Sequence, residues 1–122
     1  MEKDLSLHGE SKNVEYKESV PEDSQKYMKS VVAFANGDGG RIVFGVEDGT
    51  MRVVGIPQAD LFQMMDAITN AVTDSCEPMI IPDLFVREIE GKSLIILEIA
   101  PGMQRPYYLK KKGPVKGTYI RT

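Results

Sequence analysis

Three carboxylates and a lysine carry the first chemical possibility in this chain. Glu15 and Lys17 stand two residues apart in the alternating segment Asn13-Val14-Glu15-Tyr16-Lys17-Glu18. They therefore share one face of a strand, expected to look outward, while Val14 and Tyr16 share the apolar face. Glu10 lies five residues before Glu15, an odd spacing that a continuous strand sends to the opposite side. It joins Glu15 only if Ser11-Lys12-Asn13 bends. Asp48 lies just past the next β-like segment and converges on Glu15 if the two strands are neighbours. Three carboxylates around one hard cation is how Mg²⁺ or Mn²⁺ is held for phosphodiester hydrolysis. Lys17 would then stabilise negative charge developing on a phosphate. Surface Glu and Asp are common, so a solvated acidic face is the competing reading.

A second group lies near the C-terminus, in Arg105-Pro106-Tyr107-Tyr108-Leu109-Lys110-Lys111-Lys112, followed by Lys116, Tyr119 and Arg121. Basic residues interleaved with tyrosines suit phosphate contacts plus stacking on bases. The alternative is that one tyrosine of each pair is core and the lysines protect an edge strand. Charge distribution favours a polyanion-facing edge. The net charge is −3, yet the stretch from residue 101 to 122 holds six basic and no acidic residues, against nine basic and eighteen acidic before it.

Two further features carry less. Gly40 and Gly45 have the spacing of a phosphate loop, but Val46-Glu47 follows where Lys-Ser/Thr is needed. The glycines also follow a helical segment and precede a strand, so they meet the negative helix end and not the positive one. A left-handed helix end and a tight strand entry explain Gly37, Gly39 and Gly40. Cys76 has no histidine near it in sequence and reads as packing, with the methionines Met28, Met64 and Met65 as core filler.

The elements that must position these groups follow from periodicity. After the first strand, Ser19 and Glu22 have capping-box spacing ahead of a helix whose stripe is Tyr27, Val31, Phe34 and Ala35, widened by Met28 and Val32. Asn36 to Gly40 stops it. Arg41 to Val46 reads as a strand and Met51 to Ile56 as its hairpin partner across Glu47-Asp48-Gly49-Thr50. Pro57 opens a second helix with Leu61, Met65, Ile68 and Val72 as its stripe, flanked by Phe62, Met64 and Ala71, ending by Glu77-Pro78. Leu84 to Ile89 and Ser93 to Ile99 form a hairpin, the second strand apolar enough to be central. Tyr107 to Leu109 and Gly117 to Arg121 are expected as short final strands around the lysine-rich loop. The order β-α-β-β-α-β-β plus a short β tail predicts an α+β fold, a mixed sheet packed with two main helices.

The 122 residues, 42% hydrophobic and 27% charged, fit one globular domain. One cysteine excludes an internal disulfide framework, and one histidine, His8, argues against a histidine-based metal site or triad. No apolar run approaches membrane-spanning length and the N-terminus lacks a signal-peptide pattern, so a cytoplasmic location without membrane attachment is expected. The abrupt stop after Tyr119-Ile120-Arg121 suggests a domain cut from a longer protein.

Four ordered blocks, Glu10 to Glu18, Ala33 to Gly40, Phe44 to Gly49 and Val54-Gly55-Ile56, together with the closing Gly117-Thr118-Tyr119-Ile120-Arg121, resemble the Schlafen AlbA-type domain family. The likeness spans residues 10–122 and leaves 1–9 as an N-terminal extension. It implies a nucleic-acid-binding domain of a bacterial transcriptional regulator, with DNA or RNA as partner. Animal Schlafens of this type form a two-lobed RNA-cutting groove, which implies an alternative, a metal-dependent endoribonuclease. Its metal carboxylates map onto Glu10, Glu15 and Asp48, with Lys17 beside them and Mg or Mn as cofactor. Glu47 stands where the family often has an aspartate before Asp48. A single copy would need a homodimer to rebuild a two-lobed groove. The family's former AAA label implies a third alternative, an ATP-binding regulatory domain.

Overall fold

The computed structural model describes residues 13–121. Four strands form a mixed sheet in the order β1-β2-β5-β4: β1 (Val14–Lys17), β2 (Gly40–Phe44), β4 (Asp83–Ile89) and β5 (Lys92–Ile99). β1 runs parallel to β2 in the register Glu15 to Ile42 and Lys17 to Phe44. A parallel pair needs a crossover, here the helix α1 (Gln25–Ala35). The other two pairings are antiparallel, with β5 between β2 and β4. Leu94, Ile95, Ile96 and Leu97 of β5 are all buried, the burial on both faces that its unbroken apolar run predicts.

The main core lies between the sheet and the helices. Tyr27, Met28, Val31, Val32, Phe34 and Ala35 of α1 meet Ile42, Phe44, Ile95 and Leu97 of the sheet, with the Tyr27 ring edge-on to Phe44 at 5.5 Å between centroids. A short 3₁₀ turn (Gln58–Asp60) leads into α2 (Leu61–Asp74), which adds Leu61, Ile68 and Val72. Phe62 stays exposed, because it lies off the stripe that faces the sheet.

Three expectations change. α1 begins at Gln25, whose N–H donates to Asp23 Oδ1, and not in a Ser19–Glu22 box. Residues 19–22 stay outside the helix, and Val20 packs there against the main core. Residues 51–56 do not form a strand; one antiparallel bridge, Val46 to Val53, remains. Left-handed Gly49 and Met51 turn the chain within the 47–52 loop, and Gly45 O accepts both Val54 and Gly55 N–H groups. That carries Val46 and Val53 onto the second face of the sheet, where they cluster with Tyr16, Val43, Leu94 and Ile96. At the C-terminus, β6 (Tyr108–Leu109) pairs with β3 (Cys76–Glu77), but Gly117 to Arg121 forms no strand. Its lead-in is a short helix, α3 (Gly113–Lys116). Cys76 therefore sits in β3 and not at a helix end, and its Sγ–H points to Val72 O at 3.3 Å.

Candidate nucleic-acid interface

Glu15 does not look outward. The face it shares with Lys17 is the one α1 covers, and it is buried at 8% exposure. Its Oε1 accepts from Ser30 Oγ of α1 at 2.6 Å and from the Arg121 guanidinium at 2.7 Å. Oε2 faces Lys17 Nζ at 3.6 Å. The carboxylate thus joins β1, α1 and the C-terminal segment. Arg121 also lies over the Phe34 ring, its guanidinium carbon 5.0 Å from the centroid, within cation–π distance.

Asp48 lies on the exposed turn that follows β2. Beside it, Glu47 accepts from Thr50 Oγ1 at 2.6 Å and Arg52 at 3.0 Å. Those bonds hold the Glu47 carboxyl below its ordinary range. Glu10 lies outside the described residues. Among the described residues no cluster of three His, Cys, Asp or Glu side chains could hold a metal ion. Oε1 of Glu15 is already committed to Ser30 and Arg121.

The C-terminal candidates separate by burial. Lys110, Lys111, Lys112 and Lys116 are exposed, spread over one turn and α3. Arg105 is exposed too, with one N–H reaching Asn36 O at 3.3 Å. Tyr107 is a correction: it is buried at 5%, and its hydroxyl accepts from Gln104 N–H, so its ring offers no face for a base to stack on. Arg121 is likewise engaged in the Glu15 contact. What fixes this region is Asn36, read from the sequence only as a helix stop. Its side-chain amide donates to Tyr107 O and Tyr119 O at 2.9 and 3.0 Å and accepts from Tyr107 N–H at 2.7 Å.

Two lysines escaped the sequence reading. Lys26 and Lys29 lie on the solvent face of α1, and with Lys17, Asp23 and Gln25 they line a cleft of about 340 Å³. Their i, i+3 spacing was the available signal. A larger groove of about 510 Å³ on the second sheet face is walled by Val14, Tyr16, Val43, Leu94 and Ile96, and Asp38, Asp83 and the Arg41–Glu98 ion pair also line it. That acidic, apolar lining does not suit a phosphate.

The glycines after α1 serve packing. A Cβ on Gly40 would meet the Phe34 ring at 2.4 Å, and one on left-handed Gly39 would meet Ile99 O at 2.7 Å. No helix among the described residues is long and apolar enough to cross a membrane.

The same architecture occurs in solved structures. The N-terminal domain of an ATP-dependent DNA helicase RecG-related protein from Nitrosomonas europaea is similar at a TM-score of 0.66 and 22% identity, over 90% of this chain and 76% of that one. The DIP2311 protein from Corynebacterium diphtheriae is similar at 0.57 and 21% identity, over 82% of this chain; the match spans only 20% of that longer protein. At these identities the likeness concerns the fold. The sequence itself matches the family described as Schlafen, AlbA_2 over residues 10–122, and the chain belongs to that family.

Proposed function

We propose that this domain binds nucleic acid through its C-terminal edge, as part of a protein that regulates transcription or remodels nucleic acid. The observation that carries this reading is the exposed set Lys110, Lys111, Lys112 and Lys116 on one turn and α3. Lysines are point charges that contact phosphates without reading bases, so binding should depend on salt and little on sequence. The family and the helicase-related neighbour point the same way. Binding of labelled tRNA and duplex DNA tests the reading. Replacing Lys110, Lys111 and Lys112 together with Gln should lower the salt slope by about 2 on single strands, at about 0.7 per phosphate contact. Unchanged affinity and slope would refute it.

A second reading is a metal-dependent endoribonuclease, favoured by a buried Glu15 beside Lys17. Mg²⁺ or Mn²⁺ would be held by Glu10, Glu15 and Asp48, where it would supply Lewis-acid stabilisation of the phosphate. Cleavage of tRNA that requires added Mn²⁺ supports it; a mobility shift without cleavage leaves the binding reading alone. A two-fold homodimer would set two lysine edges along one polyanion track. Light scattering checks it, against a monomer of 13.6 kDa.

A further inference from the structure

The proposed lysine edge is not the only cationic surface on the path of the C-terminal segment. Lys17, at the end of β1, and Lys26 and Lys29, one turn apart on α1, open onto the cleft of about 340 Å³. They come from two elements separated in sequence, which the parallel β1–α1–β2 crossover brings together. The lining holds these cations against a single carboxylate, Asp23, whose Oδ1 is already an acceptor for Gln25 N–H. Glu15 divides its charge between Arg121 at 2.7 Å and Lys17 at 3.6 Å, so it offsets Lys17 in part and leaves Lys26 and Lys29 as the cations most open to an anion. An open surface on which positive charges outnumber negative ones attracts an approaching anion.

The cleft also lies close to the C-terminal segment. Lys29 Nζ lies 5.8 Å from the centroid of the Tyr119 ring. Tyr119 is three residues beyond Lys116, a stretch of chain reaching at most about 10 Å. Lys29 and Lys116 thus flank the same C-terminal segment, one beside Tyr119 and the other three residues before it.

We propose that the Lys17–Lys26–Lys29 cleft is a second phosphate-binding surface, which carries the sugar–phosphate backbone on from the lysine turn, past Tyr119, to the neighbourhood of Glu15. This rests on the nucleic-acid reading above and specifies the path of the strand. The contacts are ammonium to phosphodiester oxygen, and they are independent of base identity.

The test uses the full chain and two variants, Lys26→Gln/Lys29→Gln and the triple glutamine variant of Lys110, Lys111 and Lys112. Fluorescence anisotropy with a labelled single-stranded RNA and a labelled DNA duplex is followed across a salt series. The cleft variant should lose about tenfold in affinity at low salt, and its salt slope on single strands should fall by about 1.4. Lys26→Arg/Lys29→Arg should restore both, which separates lost charge from lost folding. Protection of Lys26 and Lys29 from acetylation by bound RNA, read by mass spectrometry, is a second measurement. Wild-type affinity and slope in the cleft variant, or no protection, overturns the cleft while leaving the lysine-turn reading standing. Failure of the unmodified chain to bind either nucleic acid overturns both.

Discussion

Replacing Glu15 by Gln should destabilise the domain, and the size of the loss follows from its contacts. The substitution keeps the shape but removes the charge that Arg121 meets at 2.7 Å and Lys17 at 3.6 Å. The Ser30 hydroxyl can still donate to an amide oxygen, so that bond weakens and is not lost. Hydrogen bonds to charged groups contribute about 1.5–3 kcal/mol, and breaking a fully buried pair costs about 3–5 kcal/mol. Here the side chains are 11% exposed for Glu15 and 23% for Arg121, so water repays part of the loss. A value near 2 kcal/mol results, or about 8 °C in Tm at roughly 4 °C per kcal/mol for a domain of this size. Thermal and urea denaturation of Glu15→Gln, Arg121→Gln and the double variant would measure it, with a coupling of about 1 kcal/mol or more expected between the sites. A Tm change under about 1 °C in Glu15→Gln, or additive single variants, would refute the clamp. The result also bears on the nuclease reading. Lost cleavage in Glu15→Gln is evidence for a metal ligand only at temperatures where the variant remains folded.

Two further outcomes follow from the core and its edges. Asn36→Ala should cost about 2–4 kcal/mol by removing the amide that binds Tyr107 and Tyr119; amide exchange should rise at Tyr107, and an unchanged exchange pattern would count against the tether. Burial pushes the Cys76 thiol above its ordinary pKa, and the Tyr27 phenol likewise. Both groups ionise more readily once unfolded, so stability should hold below about pH 8.5 and fall as pH rises beyond it, by up to about 1.4 kcal/mol per pH unit for each group in turn. Urea midpoints between pH 8 and pH 10 check this, with Cys76→Ala expected to flatten the first part of the fall.

Local pattern determined a good deal of this protein. The stripes Tyr27–Val31–Phe34 and Leu61–Ile68–Val72 specify two amphipathic helices, since a period of 3.6 has few other uses. The apolar run of β5 specifies a central strand, because only a strand buried on both faces tolerates it. The family blocks and the exposed Lys110 to Lys112 were also legible in the chain. Tertiary structure decided what depended on partners distant in sequence. Alternation put Glu15 and Lys17 on one face but could not say that α1 would cover it. The Glu15–Arg121 contact joins residues 106 apart, which no local spacing encodes. Residues 51–56 had a strand's composition, yet the turn at Gly49 and Met51 carried them onto the second face. Tyr107 and Tyr108 were indistinguishable in sequence until Asn36, 71 residues upstream of Tyr107, anchored the first of them. Lys26 and Lys29 became part of a cleft only when the β1–α1–β2 crossover set them beside Lys17. Periodicity reports which side of an element is apolar; what stands opposite that side is set by chain closure over long loops, and the candidate site is built from such contacts.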